Sequence, residues 1–160
     1  MLRAVLVLVM FLALAGTARA DTINVGSLTL RSCGSSYCGE LSRPLDPAEP
    51  TGRRIDIAFR WYRASKTPTG PPIVAVEGGP GYPSTGTRVE YRGIFGPLVR
   101  QRGMLLVDNR GTGGSALIDC KSVQSFAGRT SGSSFARRVG QCATEIEQQH
   151  GAGTSGLFAT

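Results

Sequence analysis

Two glycine-rich stretches hold the residues whose types and spacing could do chemistry. Glu77-Gly78-Gly79-Pro80-Gly81 follows the apolar run Ile73-Val74-Ala75-Val76. Asp108-Asn109-Arg110-Gly111-Thr112-Gly113-Gly114-Ser115 follows Met104-Leu105-Leu106-Val107 in the same way. Short, all-apolar runs of this kind read as strands buried on both faces, so each stretch is a loop leaving the end of such a strand. A Gly-Gly pair there lets backbone N–H groups face a cleft with no Cβ in the way. Donors placed so stabilise the negative oxygen of acyl transfer, and losing one costs about 10²–10³ in rate. Gly78 and Gly79 are therefore candidates for an oxyanion hole. The second loop contains Gly111-x-Gly113-x-x-Ala116, a match to the dinucleotide fingerprint. That pattern needs a helix opening at once and an acidic residue about 20 positions on, and neither is evident. No cofactor is expected.

A serine hydrolase also needs a nucleophile, a base and an orienting acid. No G-x-S-x-G occurs in the 160 residues. Gly113-Gly114-Ser115-Ala116-Leu117 and Gly132-Ser133-Ser134-Phe135-Ala136 both miss the pattern, which argues against Ser115 and Ser134 as nucleophiles. His150, the single histidine, stands among Gln148, Gln149 and Gly151 at the end of a helical pattern. A histidine there reads as a partner of the helix dipole rather than a base. With one histidine and no C-x-x-C, no metal site is expected.

The elements that must position these loops follow from periodicity. Residues 21–52 read as a loop-rich lead-in broken by Pro44, Pro47 and Pro50. Alternation of Ile55, Ile57 and Phe59 with Asp56, Ala58 and Arg60 predicts a strand over 53–63. Strands are predicted at 73–76 and 104–107. Tyr91, Ile94, Phe95 and Leu98 have helical spacing, which Gly93 and Gly96-Pro97 split into two short helices. Phe135, Val139, Cys142 and Ile146 predict a helix over about 133–149, capped by Ser133 or Ser134 and stopped by Gly151. Two all-apolar strands joined by a crossover imply a parallel sheet, with ligands beyond its carboxyl ends.

Residues 1–20 read as an export signal. Met1-Leu2-Arg3 is a positive start, Ala4 to Ala15 is uncharged and apolar, and Ala18-Arg19-Ala20 has the small-x-small pattern of a cleavage site before Asp21. The run is short of the roughly 20 apolar residues of a membrane span, so no stable anchor is expected. Removal of Arg3 and Arg19 lowers the formal charge from +7 to +5. The arginines are scattered and form no basic block, which speaks against nucleic acid as a partner. Export places Cys33, Cys38, Cys120 and Cys142 in an oxidising compartment, where an even number suggests two disulfides. Of three possible connectivities, Cys33–Cys38 with Cys120–Cys142 is favoured because each closes a local loop.

Taken together, Val74-Ala75-Val76-Glu77-Gly78-Gly79-Pro80-Gly81 and Leu106-Val107-Asp108-Asn109-Arg110-Gly111-Thr112-Gly113-Gly114-Ser115 resemble the secreted α/β-hydrolase peptidases of the proline iminopeptidase and tripeptidyl aminopeptidase group. Cys38-Gly39-Glu40-Leu41 with Pro44-Leu45-Asp46 and Pro50 is similar to the leading segment of that group. The resemblance implies an α/β fold: residues 21–160 would be the N-terminal portion of an α/β-hydrolase domain, a mostly parallel sheet flanked by helices and truncated before the nucleophile elbow. It implies oxyanion-hole backbone at Gly78 and Gly79, with Gly79 the first choice. Asp108, Arg110, Gly111 and Ser115 would be structural, an Asp–Arg pair locking the loop. Glu77 stands where a histidine often precedes the glycines and is given no catalytic role. The expected function is the front part of an exported serine hydrolase, an aminopeptidase taking peptide or ester substrates once completed and inactive alone. The alternative is a short, disulfide-stapled, basic exported module that binds acidic polymers of the cell envelope.

Overall fold

The computed structural model describes residues 21–78, 81–124 and 131–155. The expected export signal and Gly79 lie outside them. The described chain builds six strands and three helices: β1 (Thr22–Val25), β2 (Leu28–Ser32), β3 (Tyr37–Pro44), β4 (Arg54–Tyr62), β5 (Ile73–Ala75), α1 (Arg88–Arg102), β6 (Met104–Val107), α2 (Lys121–Gln124) and α3 (Gly132–His150). The strands form one sheet in the order β1-β2-β3-β4-β6-β5.

Four of the five strand pairings are antiparallel, and only β5 with β6 is parallel. This corrects the expected fold class. The sheet is mixed and mostly antiparallel, not the mostly parallel, helix-flanked sheet of an α/β-hydrolase. The reason lies in the links. Residues 21–52 contain three strands rather than a loop-rich lead-in, and short connections permit only antiparallel pairing. β1 turns into β2 through Gly26-Ser27, with Val25 opposite Leu28. β2 turns into β3 over residues 33–36, where the Cys33 N–H donates to the Ser36 carbonyl (2.9 Å) and the Cys33–Cys38 disulfide closes the turn. The parallel pair alone has the long crossover it needs, through α1.

Register sorts the side chains onto two faces. One carries Tyr62, Ala75, Met104 and Leu106, which form the core with Tyr91, Phe95 and Val99 of α1 packed against them. Met104 and Leu106 are wholly buried. The helical spacing of the sequence therefore holds, but the stripe packed on the core is Tyr91-Phe95-Val99, half-buried, while Ile94 and Leu98 face solvent. Gly96 is non-helical (φ 30°, ψ −107°) and kinks α1 ahead of Pro97, dividing it where the sequence placed the break.

The opposite face presents Ile57, Phe59 and Trp61 of β4 across from Leu105 and Val107 of β6. Gly39 of β3 sits opposite Phe59. A Cβ on Gly39 would come within 2.5 Å of both Leu30 Cδ2 and Phe59 Cζ, so glycine is what lets those side chains lie across β3. These apolar residues are only half-buried and line an open groove of about 500 Å³. No described helix covers them.

α3 is capped by Ser131, whose Oγ accepts from the Ser134 N–H (3.4 Å), rather than by Ser133 or Ser134. Its apolar stripe is mostly unburied: Phe135 is 52% and Val139 46% exposed, and only Ile146 is buried. The helix is held by the Cys120–Cys142 disulfide and at its C-terminal end, where Arg53 donates to the carbonyls of His150 and Ala152. Both disulfides pair as expected and suit an oxidising compartment. No helix of the described residues is long and apolar enough to cross a membrane.

Candidate functional site

The loops after β5 and β6 leave the carboxyl ends of the one parallel pair, and side chains stitch them together. The Asn109 Nδ2 donates to the Glu77 carbonyl (3.3 Å). The Glu77 N–H donates to Ser84 Oγ (2.8 Å), a hydroxyl with no exposed surface. The Tyr91 hydroxyl, from α1, donates to Glu77 Oε2 (3.2 Å). Desolvation raises the Tyr91 phenol above its ordinary pKa of 10.0, and the charge and hydrogen bond of Glu77 raise it further. Gly78 follows directly, exposed and with open space where a Cβ would stand.

Asp108 is the centre of the second loop. It is 1% exposed, and its charge is met by hydrogen-bond donors rather than a cation. The Thr85 N–H donates to Oδ1 (2.8 Å), while the Thr85 hydroxyl (2.9 Å) and the Gly114 N–H (3.1 Å) donate to Oδ2. Gly113, at φ +52°, turns the chain close over this carboxylate, and a Cβ there would collide with it. The expected Asp–Arg pair is absent. Arg110 Nη1 instead donates to the Leu45 carbonyl (2.7 Å), tying the loop to the β3–β4 connection. Gly111 takes φ +80°, and its N–H donates to the Ser115 carbonyl (2.7 Å).

Ser115 is fully buried, and its hydroxyl is engaged on both sides. It donates to the Asp108 carbonyl (2.8 Å) and accepts from the Ala58 N–H (2.9 Å). That hydroxyl splices the loop onto β4 and has no surface from which to attack a substrate. Gly114 and Ala116, on either side of it, line a cleft of about 380 Å³ with His150, Asp56 and Arg54. The serine between them turns inward, so the structure does not join Ser115 and His150 as nucleophile and base. Ser134 lies at the start of α3, bonded to Ser131. Among the described residues no group of three His, Cys, Asp or Glu side chains could hold a metal ion.

Ser84, Thr85 and Tyr91, which pin both loops, are not among the site residues that the sequence suggests. The signal available was the Ser-Thr pair just after Gly81-Tyr82-Pro83, where short hydroxyl side chains commonly bond loop backbone.

No protein-family model matches the chain, and no curated protein matches it. With a sheet that is mostly antiparallel, this overturns the assignment to the secreted α/β-hydrolase peptidases.

Proposed function

We propose that this chain supplies the loop scaffold of an exported hydrolase acting on peptide or ester bonds, and that it is inactive by itself. The observation that carries the reading is the pair of stitched loops beyond the carboxyl ends of β5 and β6, a position where sheets with parallel strands bind ligands. The open backbone at Gly78 is suited to donate a hydrogen bond to a developing oxyanion. Ser84, Asn109 and Tyr91 hold that backbone in place before any substrate arrives, so ordering it during reaction costs little. Asp108 and Ser115 are framework, and the nucleophile, base and acid come from outside the described residues. Export rests on the signal-like residues Met1 to Ala20 together with the two disulfides.

The test is capture of the natural protein with an antibody raised against residues 21–160, followed by labelling with a fluorophosphonate. A labelled serine is expected in the captured material, and none in the purified 160-residue chain. Captured protein that takes no label refutes the hydrolase reading and leaves the exported binding module in its place.

A further inference from the structure

Among the described residues, nothing covers the sheet face opposite α1. β4 and β6 are central strands, yet Ile57, Phe59, Trp61, Leu105 and Val107 are only half-buried there. Among the described residues that line the groove, one is charged, Arg102. A sheet must bury an apolar face against another layer, and stacked sheets do so about 10 Å apart.

We propose that this face is an interface between two copies of the chain, packed sheet on sheet about a twofold axis. The inference does not depend on the hydrolase reading, because it concerns the other side of the sheet from α1 and its core. Three observations select a second copy as the occupant. The face is uncharged at its centre, so like meets like without placing equal charges together. It is built from strands, whose apolar faces are complementary when two sheets align within about 30°. Its size also fits. Six strands of three to nine residues cover roughly 500 Å² at about 3.3 Å per residue and 4.8 Å per strand. Two such faces together bury about 1,000 Å², the lower limit for a specific interface, which suits a dimer that dissociates on dilution. Val74 of β5 lies opposite Leu105 in the register, on the same face, and is 59% exposed. It marks the rim of the contact.

Trp61 is the single tryptophan of the chain and lies in the groove, so it reports directly on coverage. The experiment is sedimentation equilibrium of the purified 160-residue chain over a dilution series, with iodide quenching of Trp61 on the same samples. Expected is a dimer whose dissociation on dilution opens Trp61 to iodide. Val74→Glu replaces an exposed side chain, so the fold is retained by circular dichroism, while the dissociation constant rises at least about tenfold. Ile57→Lys places a charge nearer the centre and is expected to leave only monomer. A monomer with Trp61 open overturns the proposal. So does a monomer with Trp61 shielded, which would mean that the chain's own residues, such as 1–20, cover the face. A dimer in which Trp61 stays open and Val74→Glu changes nothing also overturns it, because the contact is then elsewhere.

Discussion

Asp108→Asn is the substitution whose outcome is most tightly constrained by the geometry. The two side chains have the same shape, so packing is unchanged and only hydrogen bonding alters. The carboxylate now accepts three hydrogen bonds, from the Thr85 N–H, the Thr85 hydroxyl and the Gly114 N–H. An amide offers one oxygen. Placed at Oδ1, it keeps the Thr85 N–H but turns its NH₂ toward the Gly114 N–H. Placed at Oδ2, it keeps Gly114 and turns its NH₂ toward the Thr85 N–H. The Thr85 hydroxyl turns to accept in the first case and still donates in the second, but one backbone N–H always faces another donor. A buried donor left without a partner costs about 1–3 kcal/mol, and exchanging a charged acceptor for a neutral one removes about another 1 kcal/mol. A loss of about 3 kcal/mol follows. At a urea slope of about 1–3 kcal/mol/M the unfolding midpoint falls by roughly 1–3 M, read by Trp61 fluorescence. Thr85→Val, which removes only the hydroxyl donor, is expected to cost about 1 kcal/mol. A loss below about 1 kcal/mol for Asp108→Asn would refute the view that this carboxylate organises the loops.

Tyr91 is expected to ionise above the ordinary value of 10.0 in an absorbance titration near the phenolate band, and Glu77→Gln should bring it down toward that value. Because the folded-state pKa is raised, the stability it contributes is complete below the unfolded pKa and is lost as pH rises through the folded one; Tyr91→Phe should abolish that alkaline loss. Replacing Cys120 and Cys142 by serine opens a link between residues 22 apart and is expected to lower stability by about 3 kcal/mol, with faster amide hydrogen exchange in α3 than elsewhere. Gly39→Ala drives a methyl into Leu30 and Phe59 and should cost about 1–3 kcal/mol by thermal unfolding, whereas Gly140→Ala in α3, where the added Cβ meets nothing and the backbone is helical, should cost nothing and serves as the control for steric clash.

The β4, β5, β6 and α3 boundaries were legible to within about two residues because each segment carries its own period. Ile57-Ala58-Phe59 alternates, and Phe135, Val139, Cys142 and Ile146 repeat at helical spacing. Pairing direction was not legible. Met104-Leu105-Leu106-Val107 reads as a strand buried on both faces and so as parallel, yet its neighbours are one parallel strand and one antiparallel strand. Nothing within the run records who stands beside it. β1 to β3 were not legible because Pro44, Pro47 and Pro50 mark the segment as turn-broken, yet Pro44 ends β3, and Pro47 and Pro50 lie past it. The loops were visible as loops, but their bonding was not. Asp108 meets Thr85 across 23 residues and Ser115 meets Ala58 across 57, separations over which a local pattern carries no information.

The placement of β6 between β4 and β5 has a consequence for the order of assembly. β1 to β4 form a meander with short links and local contacts, which closes quickly. β6 must then arrive from 42 residues beyond its Tyr62–Met104 pairing, after α1 has crossed the sheet. Until it docks, β4 is an outer strand with its hydrogen-bonding groups unpaired beside Phe59 and Trp61. That interval is when a growing chain would be most prone to join its neighbours wrongly. A shielding chaperone would act to greatest effect on this unfinished edge.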